Sequence, residues 1–272
     1  MLNRLFTDQL QLGLAQSAVA ALLVFVVVLL GRWRKVHLER EVAIALVRGL
    51  VQIIAVGSVL VVLLRGPQWT GAFLLAAMIL AAGAISTKRA KGIPGSLLVS
   101  TCSIACGSGS VIAIMTWLGV IDTAITSLIP VGSMLIANAM NTNGLALNRF
   151  RSDVLAHVGE IETALALGAS SKQSIAPYVQ ASFETSLIPA IDSLRSLGIV
   201  WIPGLMAGML LSGSRPIYAA IYQFVVIAMI FASSSLTSLV STMLISSHVF
   251  TSADQLLLRP GNGEIGTQAK KA

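Results

Sequence analysis

The 29 charged residues of this chain are bunched, and the intervals between the bunches are apolar runs long enough to cross a bilayer. A membrane-spanning helix needs about 20 such residues. Only 11% of the 272 residues are charged and 56% are hydrophobic, where an ordinary soluble domain is about 25% charged. A soluble globule and a disordered chain are both excluded. The net charge of +7 does not point to nucleic acid, because the basic residues flank apolar runs, where they orient spans instead. Cys102 and Cys106, the two cysteines, lie inside one run and are no disulfide framework. The first run leads into Arg32, Trp33, Arg34 and Lys35 without a small-residue cleavage site, so it reads as a transmembrane helix and not a signal peptide.

These runs predict an all-α polytopic membrane protein with about seven transmembrane helices, at 10–31, 45–64, 69–87, 95–120, 123–147, 196–213 and 217–246. The loop cations test the count. Arg32, Arg34, Lys35 and Arg40 follow the first span, and Lys88, Arg89 and Lys91 the third. Arg149, Arg151 and Lys172 follow the fifth, and Arg259, Lys270 and Lys271 lie beyond the seventh. The other segments offer only Arg4, Arg65 and Arg215. This alternation puts the N-terminus outside and the C-terminus in the cytoplasm.

Residues 148–195 form the one sizeable segment outside the predicted spans. Val154, Val158, Ile161 and Leu165 recur at helical spacing, with Asp153, His157, Glu160 and Glu162 on other faces, and Gly168 follows where a left-handed cap is cheapest. That is a cytoplasmic amphipathic helix. A second stripe of Ile175, Val179, Phe183, Leu187, Ile191 and Leu194 predicts a helix that lies along the membrane surface or enters it obliquely before span six. Pro177 suits its start, and Pro189 should kink it. Alternatively, Glu184, Asp192 and Arg195 face a polar cavity.

The chain has no phosphate-binding loop of the G-x-x-x-x-G-K-[ST] type, no H-E-x-x-H, no G-x-S-x-G and no zinc-spaced Cys/His cluster. No catalytic residues, resident cofactor or metal ligands are assigned, and the chain reads as no enzyme. Asn138 and Asn141 share a helical face that Asn148 continues; such amides line a path or bind a neighbouring helix. Arg48 beside Gln52 fits a snorkelling anchor. Cys102 and Cys106, and Met134, Met140, Met206 and Met209, fit packing better than a metal path. Pro203 and Gly204 interrupt span six, freeing carbonyls that either line a cavity or are absorbed by packing.

Glu160-Ile-Glu-Thr-Ala-Leu-Ala-Leu-Gly168 resembles the coupling loop of ABC-transporter permeases. Asn138-Ala-Met-Asn141, Leu145-Ala-Leu-Asn-Arg149, Leu165-Ala-Leu-Gly-Ala169, Ile188-Pro-Ala-Ile-Asp192, Pro203-Gly-Leu-Met-Ala-Gly208 and Tyr222-Gln223 sharpen the match. More weakly, so do Arg48-Gly-Leu-Val-Gln52 and Lys88-Arg-Ala-Lys-Gly-Ile-Pro94. In that order they resemble the permease family of the bacterial iron exporter FetB and the plant permeases linked to aluminium resistance. Leu205 and Ala207 depart from the family's P-G-M-M-T-G, and a basic residue common near Gln180 is absent. If that Met and Thr handle substrate, the cargo here differs from iron.

The resemblance implies the permease subunit of an ABC exporter in a bacterial inner membrane: a homodimer bound to two copies of a separate ATPase that binds ATP and Mg. Iron or another metal ion is the expected substrate. It places coupling at Glu160, Glu162, Ala164 and Gly168, flanked by Arg149 and Arg151. The path falls to Asn138, Asn141, Pro203, Gly204, Met206 and Met209. One permease domain, 1–258, would contain the coupling loop 148–178 and precede a disordered cytoplasmic tail, 259–272. The alternatives are a nucleotide-sugar permease, a secondary transporter using Glu184 and Asp192, and a membrane scaffold.

Overall fold

The structure, a computed structural model, describes residues 9–33, 39–63, 66–67, 69–88, 95–251 and 255–258. The tail 259–272 and the loop cations Arg4, Arg34, Lys35, Arg65, Arg89 and Lys91 lie outside the described residues. The protein is an all-α membrane protein. Its described elements are helices, apart from two isolated β-bridges. The chain divides into two units, Met1–Gly66 and Pro67–Ala272.

The first unit is a helical hairpin of α1 (Gln9–Trp33) and α2 (Glu39–Leu63). Ala18, Ala21, Ala45 and Gly49 line one groove between the two helices, as expected where helices approach through small residues in a bilayer. Leu22, Phe25, Val47 and Ile53 are exposed, which suits side chains whose solvent is lipid. Arg48 and Gln52 lie on α2 beside Ile44 and Val51.

The second unit holds α3 (Trp69–Thr87), α4 (Ser96–Ile104), α5 (Ser110–Trp117), α6 (Ile125–Ala156), α7 (Val158–Ala166), α8 (Ser171–Ser196), α9 (Gly204–Leu211) and α10 (Pro216–His248). A π turn, Ala105–Gly109, joins α4 and α5 into one rod. α6 and α10 form the central pair, α8 packs on both, and α3 and α4 pack on each other and on α6. One apolar core gathers Leu75, Ile104, Leu135, Ile136, Val226 and Met229. Glycine sets the closest crossing: a Cβ on Gly107 would lie 1.9 Å from Thr237 Oγ1 and 2.7 Å from the Thr237 amide nitrogen.

Seven helical rods of 19 residues or more occur among the described residues, but they are not quite the seven expected. Residues 196–213 hold no spanning helix. α8 ends at Ser196 and the chain reverses through Gly198, at φ 76°, whose N–H donates to the Trp201 carbonyl at 3.0 Å. α9 then has eight residues, about 12 Å at the α-helical rise and far short of a bilayer. The long rod is α8, about 39 Å by the same rise.

The amphipathic helix expected before span six is α8, and it packs on α6 and α10. α8 buries Ile175, Ser182, Ser186 and Leu187, and its serines find partners at once. Ser182 donates to the Val179 carbonyl, Ser186 donates to that of Phe183, and Ser186 also bonds Ser238 of α10 at 2.7 Å. Pro177 and Pro189 both lie within the helix. Its start is set instead by a capping box between Ser170 and Gln173. Helix α6 runs nine residues past the predicted end of span five at 147, reaching Ala156.

Four rods are apolar enough to cross a membrane by composition: Val42–Val59, Trp69–Thr87, Ser96–Trp117 and Pro216–His248. The described part of α1 adds the shorter apolar stretch Ala15–Leu29. α6 and α8 are long but more polar, and they sit in the middle of the second unit.

Candidate functional site

At its C-terminal end α6 stops at His157, whose φ of −120° and ψ of 26° leave the helical region. The apolar stripe expected to form one helix is therefore divided, with Val154 on α6 and Val158, Ile161 and Leu165 on α7. The α7 C-terminus is closed by a Schellman motif: the Gly168 N–H donates to the Leu165 carbonyl and the Ala169 N–H to that of Ala164, both at 3.0 Å. Gly168 has φ 92°, the left-handed region that only glycine enters cheaply.

Ile161 anchors the helix. It is 1% exposed and belongs to a second apolar core with Val99, Leu147, Phe150, Val154, Ile175 and Ile245. The chain beyond α10 closes this core. Phe250 and Leu256 pair as an antiparallel bridge, and Leu256 and Leu258 are buried. Tyr178 of α8 clips α7 from outside: its hydroxyl donates to Glu160 Oε2 at 3.2 Å, and its ring stacks on His157 at 5.1 Å.

Of the residues assigned to coupling, Glu160, Glu162 and Gly168 are exposed and Ala164 is half-buried. Leu167, which the sequence did not single out, is an apolar side chain 84% exposed at the same tip. Arg149 Nε lies 2.9 Å from Asp153 Oδ2 on the last turns of α6. Arg151 is half-buried, and its Nε has no partner among the described residues.

The residues assigned to a path do not converge on one place. Asn138, Asn141 and Asn148 lie on an exposed face of α6, and Asn138 Nδ2 donates to the Met134 carbonyl at 2.8 Å. The asparagine the sequence reading passed over is the buried one. Asn143 is fully enclosed, donates to Ser86 Oγ of α3 at 2.7 Å and leaves its Oδ1 unpartnered.

Pro203 and Gly204 begin α9 and do not break a spanning helix. The Met206 N–H donates to Oε1 of buried Gln223 on α10 at 3.2 Å, while Met209 lines a cavity at the N-terminal end of α6. Cys102 and Cys106 are exposed, and no group of three or more metal-ligating side chains occurs among the described residues. Glu184 is exposed and accepts from Gln180 Nε2 at 2.9 Å, and Asp192 is exposed with Arg195 at 4.0 Å.

Residues 14–250 match the model of the Uncharacterised protein family (UPF0014). The chain belongs to this family. It is 32% identical over 254 residues to the UPF0014 membrane protein STAR2 of Oryza sativa subsp. japonica, covering 92% of this chain and 88% of that one. Protein ALUMINUM SENSITIVE 3 of Arabidopsis thaliana is 31% identical over 246 residues, covering 90% of each. The Probable iron export permease protein FetB of Escherichia coli (strain K12) is 30% identical over 242 residues, covering 89% of this chain and 93% of that one. No solved structure matches the chain.

Proposed function

We propose that this chain is the membrane subunit of an ABC exporter, with α7 as the coupling helix against a separately encoded ATPase. The observation that carries the reading is the build of α7. It is a short helix held by buried Ile161, closed at Gly168, and presenting Glu162 and Leu167 outward at the end of central helix α6. A load applied to such a tip passes into α6 and α8 without first being absorbed by a slack loop. The name of the FetB relative, a probable iron export permease, supports export and a metal ion, iron among the choices, as cargo.

The arrangement we infer is a homodimer with two ATPase copies, in a bacterial inner membrane. The partner binds ATP and Mg. Residues 9–248 would cross seven times, α8 replacing 196–213 as the sixth span and keeping the loop alternation intact. Asn138 and Asn141 would line the path. Exposed amides on a membrane helix are poorly solvated by lipid, and a water-filled seam between two copies would solvate them.

The test is the ATPase activity of the partner subunit reconstituted in liposomes with this chain, comparing wild type with Gly168→Pro and Glu162→Ala/Leu167→Ala. Stimulation by the wild type should fall at least tenfold in both variants, with Asn138→Ala/Asn141→Ala sparing assembly but reducing metal-stimulated turnover. A partner that neither binds nor responds to the wild-type chain rules the reading out.

A further inference from the structure

At the end of α6 opposite α7, about 48 Å away along a 32-residue helix, the second unit opens into a cavity of about 430 Å³. That volume is in the range of small-molecule sites. Its walls come from the α5–α6 connection and the first turns of α6 (Asp122, Thr126), from α9 (Met209) and from the start of α10 (Tyr218, Tyr222).

Asp122 supplies the cavity's formal charge. No lysine, arginine or histidine lines the walls among the described residues. One carboxylate oxygen, Oδ1, accepts the Ala124 N–H at 3.2 Å, which fixes the side chain at the start of α6. No cation pairs with it among the described residues, in a chain where positive charge predominates. Tyr218 and Tyr222, one helical turn apart, stack with ring centroids 6.3 Å apart and 25° between planes. Val120, Val131 and Leu205 add apolar lining.

An anion would meet Asp122 and find no counter-charge. A bare divalent metal would find one carboxylate, where hard cations gather six or more oxygens or keep their waters. What one carboxylate, two phenol rings and a thioether suit is a cation with an organic body. Its ammonium head pairs with Asp122, which like Tyr218 is exposed, and lies against an aromatic face. We propose that this cavity is a binding site for a small organic ammonium, independent of how α7 couples to any partner.

The full chain in lipid nanodiscs should bind benzylammonium saturably by calorimetric titration and bind the neutral benzyl alcohol at least tenfold more weakly. Asp122→Asn keeps an acceptor for the Ala124 N–H but removes the charge, and should weaken benzylammonium at least tenfold. Tyr222→Leu should weaken it severalfold and Tyr222→Phe leave it near wild type, since a ring face does not need the hydroxyl. Unfolding midpoints close to wild type certify each variant, and the Phe/Leu pair decides the matter if Asp122→Asn fails to fold. The proposal is overturned if wild type binds no benzylammonium, if the alcohol binds equally, or if a well-folded Asp122→Asn binds as wild type does. It is also overturned if Mn²⁺ is the only probe whose binding depends on Asp122.

Discussion

Gly107→Ala is expected to be among the most damaging single-methyl changes in this protein. The added carbon would sit 1.9 Å from Thr237 Oγ1, 2.7 Å from the Thr237 nitrogen and 2.8 Å from the Ser233 carbonyl oxygen. A hydroxyl can rotate away, but two of those three atoms are backbone of α10. Relief therefore needs the π turn and α10 to separate, loosening a seam in which Ser233, Thr237 and Ser241 are all fully buried. The cost should reach the upper end of the about 1–3 kcal/mol typical of overpacking. It is read as a fall in the thermal unfolding midpoint and in detergent-stable yield. Gly109→Ala is the control. Two residues along, its Cβ would touch only Ile79 Cδ1, at 3.9 Å, and its stability should stay within about 0.5 kcal/mol of wild type. Equal behaviour of the two variants would show that the crossing is not as close as described.

Ile161→Asp should release α7 while leaving the opposite end of the second unit folded. The side chain is 1% exposed and enclosed by aliphatic groups and Phe150. A carboxylate there finds no described cation among its core neighbours, and burying an unpaired charge costs far more than a short helix gains by docking. Ile161→Ala, which leaves only a cavity, should cost about 2–5 kcal/mol. The measurement is protease cleavage within residues 157–170, expected to rise steeply in the Asp variant and less in the Ala variant. The Trp69–Thr87 helix should keep its protection in both. Unchanged cleavage in the Asp variant would mean that Ile161 is not the anchor.

Much of this architecture was legible because a bilayer leaves little choice. Apolar runs of span length became helices, and the stripe through Ile161 with the glycine at 168 gave α7 and its cap. The packing of α8 on α6 and α10 could not be read from its apolar stripe alone. Ser186 is satisfied partly by Ser238, 52 positions away, and no local pattern announces so distant a partner. Asn143 was missed for a related reason. It stands two positions from Asn141, and helical periodicity turns it to another face, where Ser86 of α3 receives it. The candidate site divided along the same line. The residues proposed for coupling are adjacent in sequence and could be read together, whereas the cavity around Asp122 needs three separated segments that only the fold assembles.

The bridge between Phe250 and Leu256 bears on the order in which the protein can be finished. The core that seats Ile161 draws on Val99 near its beginning and on Leu256 and Leu258 at its end. Contacts so widely separated in sequence are the last to form as a chain emerges, since earlier segments become available first. Helix α7 is synthesised well before the residues that complete its seat. A nascent or prematurely terminated chain can therefore already hold its membrane helices while α7 remains loosely docked. Firm seating of α7 becomes a sign that Leu256 and Leu258 are in place, so a partner that recognises only the seated helix would discriminate against copies lacking them.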